Sequence, residues 1–358
     1  MTPIQFAIIG GGWRTRFFLK IAQELPERFR VTGMLVRDEA KARAIQDEWH
    51  VPTQPTVDEF FAQNKAAQFS ITSVPWPVNP DMMAACIAHG LPVLSETPPA
   101  PTVDALVALW HKLGPAAKVQ IAEQYPFQPL HAARLNVIAS GKLGHISQAH
   151  VSIAHGYHGI VLMRRFLGIG YENATITARR FVSPLVQGPG RAGLPSEEKI
   201  VDDTQLLAHF DFENGKLGVF EFTGAQYFSY VRGNRLLVRG ERGEMEGEAV
   251  RHLQDFRTPI WQTLQRHDTG YSGNLEGWHH RGYLLGESWV YQNPFAPARL
   301  SDDEIAVATC LQKMSEYVNG GPSFYSLAEA SQDHYLNLLM DQAAATGQAI
   351  TSVSQVWA

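Results

Sequence analysis

The first third of the chain alternates between two hydrophobic rhythms. Residues 5–9 form a continuous apolar run that ends in Gly10-Gly11-Gly12, and residues 16–25 behind it place apolar side chains at helical spacing. Residues 30–36 and 39–49 repeat this pair, as do 69–74 with 81–89 and 92–94 with 103–113, before a last short run at 118–122. Short apolar runs that do not alternate with polar residues belong to strands covered on both faces. Strands separated by helices build βαβ units around a parallel sheet. From residue 146 the texture changes. Strand-like stretches at 146–154, 175–181, 205–212, 217–222, 235–239 and 244–248 follow one another without helices, and Glu213-Asn214-Gly215 and Gly240-Glu241-Arg242-Gly243 supply hairpin turns. Such a series predicts a mostly antiparallel sheet. Helical period returns at 302–317 and 327–345.

The 358 residues suit two domains at ~150 residues each. The change of rhythm divides them into residues 1–122 and residues 123–358, with the C-terminal helices free to pack back on the first domain. The fold class is α/β: an N-terminal doubly wound parallel sheet plus a C-terminal α+β domain with a large, mostly antiparallel sheet. The only cysteines are Cys86 and Cys310, which form no metal-ligand cluster and no disulfide framework. A net charge of −5, with no basic block, argues against nucleic acid as a partner. No apolar run approaches the ~20 residues that span a bilayer. Met1-Thr2-Pro3-Ile4-Gln5 carries no basic leader, so a cytoplasmic protein with no membrane partner is expected.

Gly10-Gly11-Gly12-Trp13-Arg14-Thr15 lies where the first strand gives way to the first helix, the context in which a glycine-rich turn holds a dinucleotide diphosphate. Gly10 permits the tight turn and Gly12 a close approach of backbone to ligand, with Trp13 and Arg14 beside them. Thr15 stands where Gly or Ala usually lets strand and helix pack closely. At the end of the second strand, where an acid would bind the adenosine ribose, the order is Val36-Arg37-Asp38. Arg37 could take a 2′-phosphate, so the cofactor is expected to be NADP or NAD with a bias to the former. Alternatively, Arg37 and Asp38 simply begin the next helix.

Three further segments resemble the Gfo/Idh/MocA oxidoreductases, which include glucose–fructose oxidoreductase and inositol dehydrogenase. Val74-Pro75-Trp76-Pro77-Val78-Asn79, with His89-Gly90-Leu91-Pro92-Val93-Leu94-Ser95-Glu96-Thr97-Pro98, is similar to that family's third-strand proline and its Glu-Lys-Pro stretch; Asn79 falls where the pattern usually has His. Glu123-Gln124-Tyr125-Pro126-Phe127 resembles the entry into the second domain, and Gly156-Tyr157-His158-Gly159-Ile160 a later histidine motif. The resemblance implies a Rossmann domain and an NAD(P)-dependent enzyme acting on CH–OH groups of a sugar, polyol or related hydroxy compound. It also implies cofactor contacts at Pro75, Trp76, Asn79, Glu96, Thr97, Pro98, Glu123 and Gln124. The departures are specific. The family's usual catalytic Lys, Asp and His positions read Thr97, Ala154 and His158. Two titratable groups are therefore missing, and the site is atypical.

Hydride removal from an alcohol needs a base within reach of the hydroxyl. His158 is the candidate acid/base, and His155 or Tyr125 could supply the orienting or relay role. Glu123 could itself be a base, or an ordinary ion pair with Arg164 or Arg134. Tyr157, Tyr227 and Arg232 are candidate substrate contacts, the last two on a presumed strand. No metal site is expected, since the His155/His158 pair lacks a third ligand. Asp302-Asp303-Glu304 reads as helix capping. Three functions remain open at this point: the oxidoreductase, an NAD-dependent glycoside-cleaving enzyme working by oxidation and elimination, and a catalytically degenerate sensor or scaffold. The expected partner is a small carbohydrate-like molecule, and an open sheet face favours a homo-oligomer.

Overall fold

The computed structural model describes residues 2–270, 274 and 276–358. Its first sheet joins β1 (Ile4–Ile9), β2 (Phe29–Leu35), β3 (Thr53–Gln54), β4 (Phe69–Thr72), β5 (Val93–Ser95) and β6 (Val119–Ile121), all parallel, in the order β3-β2-β1-β4-β5-β6. The crossovers carry α1 (Thr15–Glu24), α2 (Glu39–Trp49), α3 (Val57–Gln63), α4 (Asn79–Ala88) and α5 (Val103–Leu113). All four residues of β4 are buried, Ser70 and Thr72 included, as a strand covered on both faces requires. Asp38, Thr56 and Thr102 accept first-turn N–H groups of α2, α3 and α5, fixing where those helices start. The strand order reverses between β1 and β4, and the ends of these two strands open into a crevice.

The second half adds α6 (Pro129–Ala139), β7 (Ile146–Ser152), α7 (Gly156–Leu167), β8 (Ala174–Val186), β9 (Ile200–Phe212), β10 (Leu217–Thr223), β11 (Arg235–Gly240), β12 (Gly243–Glu246), β13 (Ala249–Leu253), β14 (Pro259–Thr269), β15 (His279–Leu285), β16 (Ser288–Gln292), α8 (Asp302–Val318), α9 (Leu327–Thr346) and β17 (Ile350–Thr351). Its strands form one sheet, β16-β15-β14-β13-β12-β11-β7-β10-β9-β8-β17. β7 and β10 pair parallel and the other pairs are antiparallel, with α6, α7 and α9 packed against the sheet. Both anticipated hairpins form, β9 with β10 and β11 with β12.

Two corrections concern secondary structure. The segment carrying Tyr227 and Arg232 is not a strand. Thr223 and Gln226 form a capping box that winds Gly224–Tyr227 into one 3₁₀ turn, so the chain leaves the sheet here. The sheet also extends through β13–β16, beyond the strands that apolar runs reveal, because β14 exposes most of its side chains. α8 returns to the first sheet: Ile305, Val307, Cys310, Leu311 and Met314 share a buried cluster with Phe6, Ile8, Phe18 and Ile71. At roughly 1.5–3 kcal/mol per fully buried large apolar side chain, this cluster fixes α8 firmly, and its first turn faces the crevice.

Candidate active site

A cleft of about 950 Å³ runs from the end of β2, past the glycine turn, to the start of α7. Gly10 has φ +113°, and a Cβ there would lie 2.1 Å from the Ser73 carbonyl oxygen, so only glycine fits between β1 and β4. A Cβ on Gly12 would meet no atom within 4 Å, because this residue faces the open cleft. Arg14, the residue before α1, contributes no side-chain cap, and the Thr15, Arg16 and Phe17 N–H groups are taken by the Gly12, Trp13 and Arg14 carbonyls at 3.2, 3.2 and 3.1 Å, so an anion here would be met by the glycine turn itself. The Arg14 guanidinium pairs instead with Glu96 Oε1 at 3.3 Å and Asp303 Oδ2 at 3.2 Å. Arg14 Nη2 and Thr15 Oγ1 are buried without a protein partner among the described residues. Orphaned donors beside an unfilled glycine cradle are what a diphosphate would satisfy. At the other end Arg37 is exposed along the cleft with Lys41, while Asp38 is committed to capping α2 through the Lys41 N–H at 2.8 Å.

At the inner end, Glu123 follows β6 and is fully buried, and its Oε2 lies 2.6 Å from His158 Nδ1. Its other oxygen accepts the Tyr125 N–H at 3.1 Å, which fixes the carboxylate's orientation. His158 sits in the first turn of α7, 7% exposed, with the Tyr157 and Tyr125 rings 4.4 and 4.7 Å from its own. Since Nδ1 is occupied, Nε2 is the nitrogen available to a ligand in the cleft. His155 turns elsewhere. Its Nδ1 meets the Tyr227 hydroxyl at 2.6 Å, and that hydroxyl accepts the His155 N–H at 3.3 Å and lies 3.4 Å from the Tyr125 hydroxyl. Burial, then the neighbouring His158, brings the His155 imidazole down to about 4, so it is neutral at physiological pH, although the side of the ring open to the cleft remains exposed to solvent. Burial pushes the Tyr125 phenol up, which keeps its proton available for donation. Burial also pushes the Glu96 carboxyl up, against the pull of Arg14.

Of the residues singled out from sequence, Gly10, Gly12, Trp13, Arg14, Arg37, Pro75, Trp76, Glu96, Thr97, Gln124, Tyr125, His155, Tyr157, His158 and Tyr227 all line this one cleft. Four do not. Glu123 lies behind His158. Asn79 is 2% exposed and donates to Ser95 Oγ at 2.8 Å. Pro98 follows a cis peptide bond after Thr97, and Arg232 faces Asp203 at 3.6 Å. Arg164 and Arg134 are not partners of Glu123; they pair with Asp333 at 2.7 Å and, more loosely, with Glu248 at 3.8 Å. Ala154 is fully buried in the apolar core. Sequence reasoning passed over Lys41, Gln128 and Arg191 as cleft residues, and Asp303, in the first turn of α8, lines the cleft and accepts from Arg14 and Gln128, while the cap of that helix is Ser301 with Glu304. Nothing local marks Arg191 or Asp303, which reach the site from distant parts of the chain.

Residues 4–122 match the family described as "Oxidoreductase family, NAD-binding Rossmann fold" (GFO_IDH_MocA). No curated protein matches the chain. Solved structures share its fold over nearly the whole length. One is an oxidoreductase from Agrobacterium radiobacter in complex with NAD+, L-tartaric acid and magnesium (16% identity, TM-score 0.69, 98% of each chain covered). Another is levoglucosan dehydrogenase in complex with NADH and levoglucosan (13%, 0.69, 98% of this chain and 99% of that one). A third is an NAD binding oxidoreductase from Klebsiella pneumoniae (14%, 0.68, 99% and 100%). Among the described residues, no group of three or more His, Cys, Asp or Glu is placed to hold a metal ion, and no helix is long and apolar enough to cross a membrane.

Proposed function

We propose that this chain is an NAD(P)-dependent oxidoreductase acting on a CH–OH group of a sugar, polyol or related hydroxy compound, with residues 1–122 as the cofactor unit and 123–358 as the substrate unit. One observation carries the reading: the 2.6 Å bond between Glu123 and His158 at the inner end of a cleft whose other wall is the glycine turn. The bond supplies what the sequence lacked at Ala154, a carboxylate that orients the imidazole and offsets its charge when it gains a proton. The Gly10–Gly12 backbone and Arg14 would hold the diphosphate, and Glu96, Thr97 and Gln124 line the cleft's inner end. Arg37 and Lys41, with Asp38 occupied by capping, favour a 2′-phosphate and hence NADP. A bound nicotinamide would accept or return a hydride. His158 Nε2 takes the hydroxyl proton, Glu123 stabilises the resulting imidazolium, and the Tyr125 and Tyr227 hydroxyls orient the substrate oxygens. The levoglucosan and tartrate named for two structural neighbours are polyhydroxy compounds, in keeping with this substrate class.

The oxidation–elimination alternative draws on one feature, the protonated Tyr125–Tyr227–His155 chain, which could protonate a leaving group. Titrating NADH and NADPH by fluorescence tests the shared premise: saturable binding is expected, tighter for NADPH, and binding of neither overturns both readings. A polyol panel then separates them. Net change in cofactor absorbance supports the oxidoreductase, whereas release of an aglycone without such a change supports elimination.

A further inference from the structure

The connection between β8 and β9, residues 187–199, reaches back over the mouth of the cleft. Its tip is an ordered turn. Gly190 and Gly193 exchange both backbone hydrogen bonds, at 3.0 and 2.9 Å, which leaves Arg191 and Ala192 at the apex. The stem is closed by the Gln187 N–H donating to the Lys199 carbonyl at 2.8 Å, and Gly188 packs so closely on Ser229 that a Cβ would come within 3.1 Å of its Cα. Arg191 lines the cleft, and its guanidinium lies over the exposed Trp13 indole, 4.7 Å from the ring centre. Among the described residues no carboxylate comes within ion-pair distance of it. The other cations of the cleft are differently placed. Arg14 is already paired with Glu96 and Asp303, Lys41 reaches the glycine turn from α2, with its Cε 3.2 Å from where a Gly11 Cβ would stand, and Arg37 lines the cleft after β2. A diphosphate on the glycine turn would therefore have Lys41 on its own side and meet Arg191 from the opposite wall.

We propose that Arg191 closes over the cofactor diphosphate, resting on Trp13 in its absence, so that residues 187–199 act as a strap contributed by the substrate-binding half of the chain. The proposal rests on the dinucleotide reading above. A guanidinium presents paired N–H donors that match a phosphate edge, and it leaves an indole face at small cost, whereas a lysine would act only as a point charge. Bound cofactor is then gripped by both halves of the molecule, and its release requires the strap to lift.

The test uses the full chain, Arg191→Ala and Arg191→Lys, with NADH, ADP-ribose and adenosine as probes and the ligand-free Tm as a folding control. Loss of one charge-assisted contact predicts that Arg191→Ala binds NADH and ADP-ribose about tenfold more weakly, mostly through faster dissociation. Salt dependence should be shallower, and adenosine, which lacks the diphosphate, should bind as before. Arg191→Lys should recover part of the loss. Unchanged NADH affinity in Arg191→Ala overturns the proposal, and so does an equal loss for adenosine, which would make Arg191 a general support of the cleft. Failure of the unsubstituted protein to bind NADH or NADPH is a different outcome, because it removes the dinucleotide reading itself.

Discussion

Two histidines three residues apart, at the start of the same helix, meet opposite surroundings. His158 is enclosed and bonded to a fully buried carboxylate; His155 faces the cleft and is bonded to a phenol. Both bonds are 2.6 Å long, so geometry alone does not distinguish them. Charge does. A carboxylate compensates the positive charge that an imidazole acquires with a proton, whereas a protonated phenol offers no counter-charge, and burial, then the neighbouring His158, hold the His155 ring neutral, down to about 4. Under the proposed function the pair divides into a ring whose partner can offset a gained charge and a ring held uncharged in a polar wall. The identity of each partner, and not the spacing of the histidines, carries that proposed division.

The largest test of this division is His158→Ala. Removing a positioned general base should lower turnover by ~10³-fold while leaving NADH affinity within about twofold, because the substitution leaves the glycine turn and Arg14 in place. Retained turnover would transfer the acid/base role to His155 or Tyr125. Ala154→Asp comes next, and it bears on stability. This substitution adds a second carboxylate four residues before His158, but Ala154 is packed in the core and His158 Nδ1 already has its partner. Burying a further carboxylate should lower Tm by roughly 4 °C or more with no gain in kcat. A clear rise in kcat would show that Glu123 does not orient the ring. Tyr227→Phe should act on the His155 side of the cleft, removing the bond to that ring and the contact with the Tyr125 hydroxyl. Losing a hydrogen bond worth ~1 kcal/mol predicts a KM about fivefold higher with kcat nearly unchanged, and a collapse of kcat would place Tyr227 in the chemistry.

The sequence revealed the doubly wound sheet because parallel strands buried on both faces are rich in apolar residues, as the Phe6–Ile9 end of β1 shows, although β2 exposes Arg30 and β4 buries Ser70 and Thr72. The glycine turn was legible for a similar reason, since Gly10 is dictated by the local backbone together with the adjacent strand. The outer strands β13–β16 were not, because a half-exposed antiparallel strand such as β14 carries no continuous apolar signal. The strand expected around Tyr227 gave way to a turn because a Thr–Gln capping box outweighed the β-forming aromatics. Most of the cleft residues could be named, yet their pairings could not. Glu123 finds His158 35 residues away, and Arg14 finds Asp303 across 289. Local pattern fixes which residue types gather at the strand ends. Only the packing of α7 and α8 decides which of them touch.

The smallest effect bears on the neutral histidine directly. In the unfolded chain His155 titrates near the ordinary value of about 6.5, and in the folded protein near 4. As pH falls through 6.5 the unfolded state takes up the proton first, so this residue withdraws stability progressively between pH 6.5 and about 4, and contributes no such loss above that range. The ring is partly open to solvent, which moderates the effect. His155→Gln keeps a polar side chain beside the Tyr227 hydroxyl and removes the titration. Its Tm should therefore fall less than that of the unsubstituted protein between pH 7.5 and pH 5, by roughly 1–2 °C in a thermal melt series. His131, which burial also holds well below the ordinary value, is unchanged in both proteins and cancels from the difference. Identical acid sensitivity in the two proteins would mean that His155 takes up its proton in the folded state as readily as in the unfolded one. The two histidines would then no longer differ in kind, and the assignment of a single proton-exchanging ring would lose its basis.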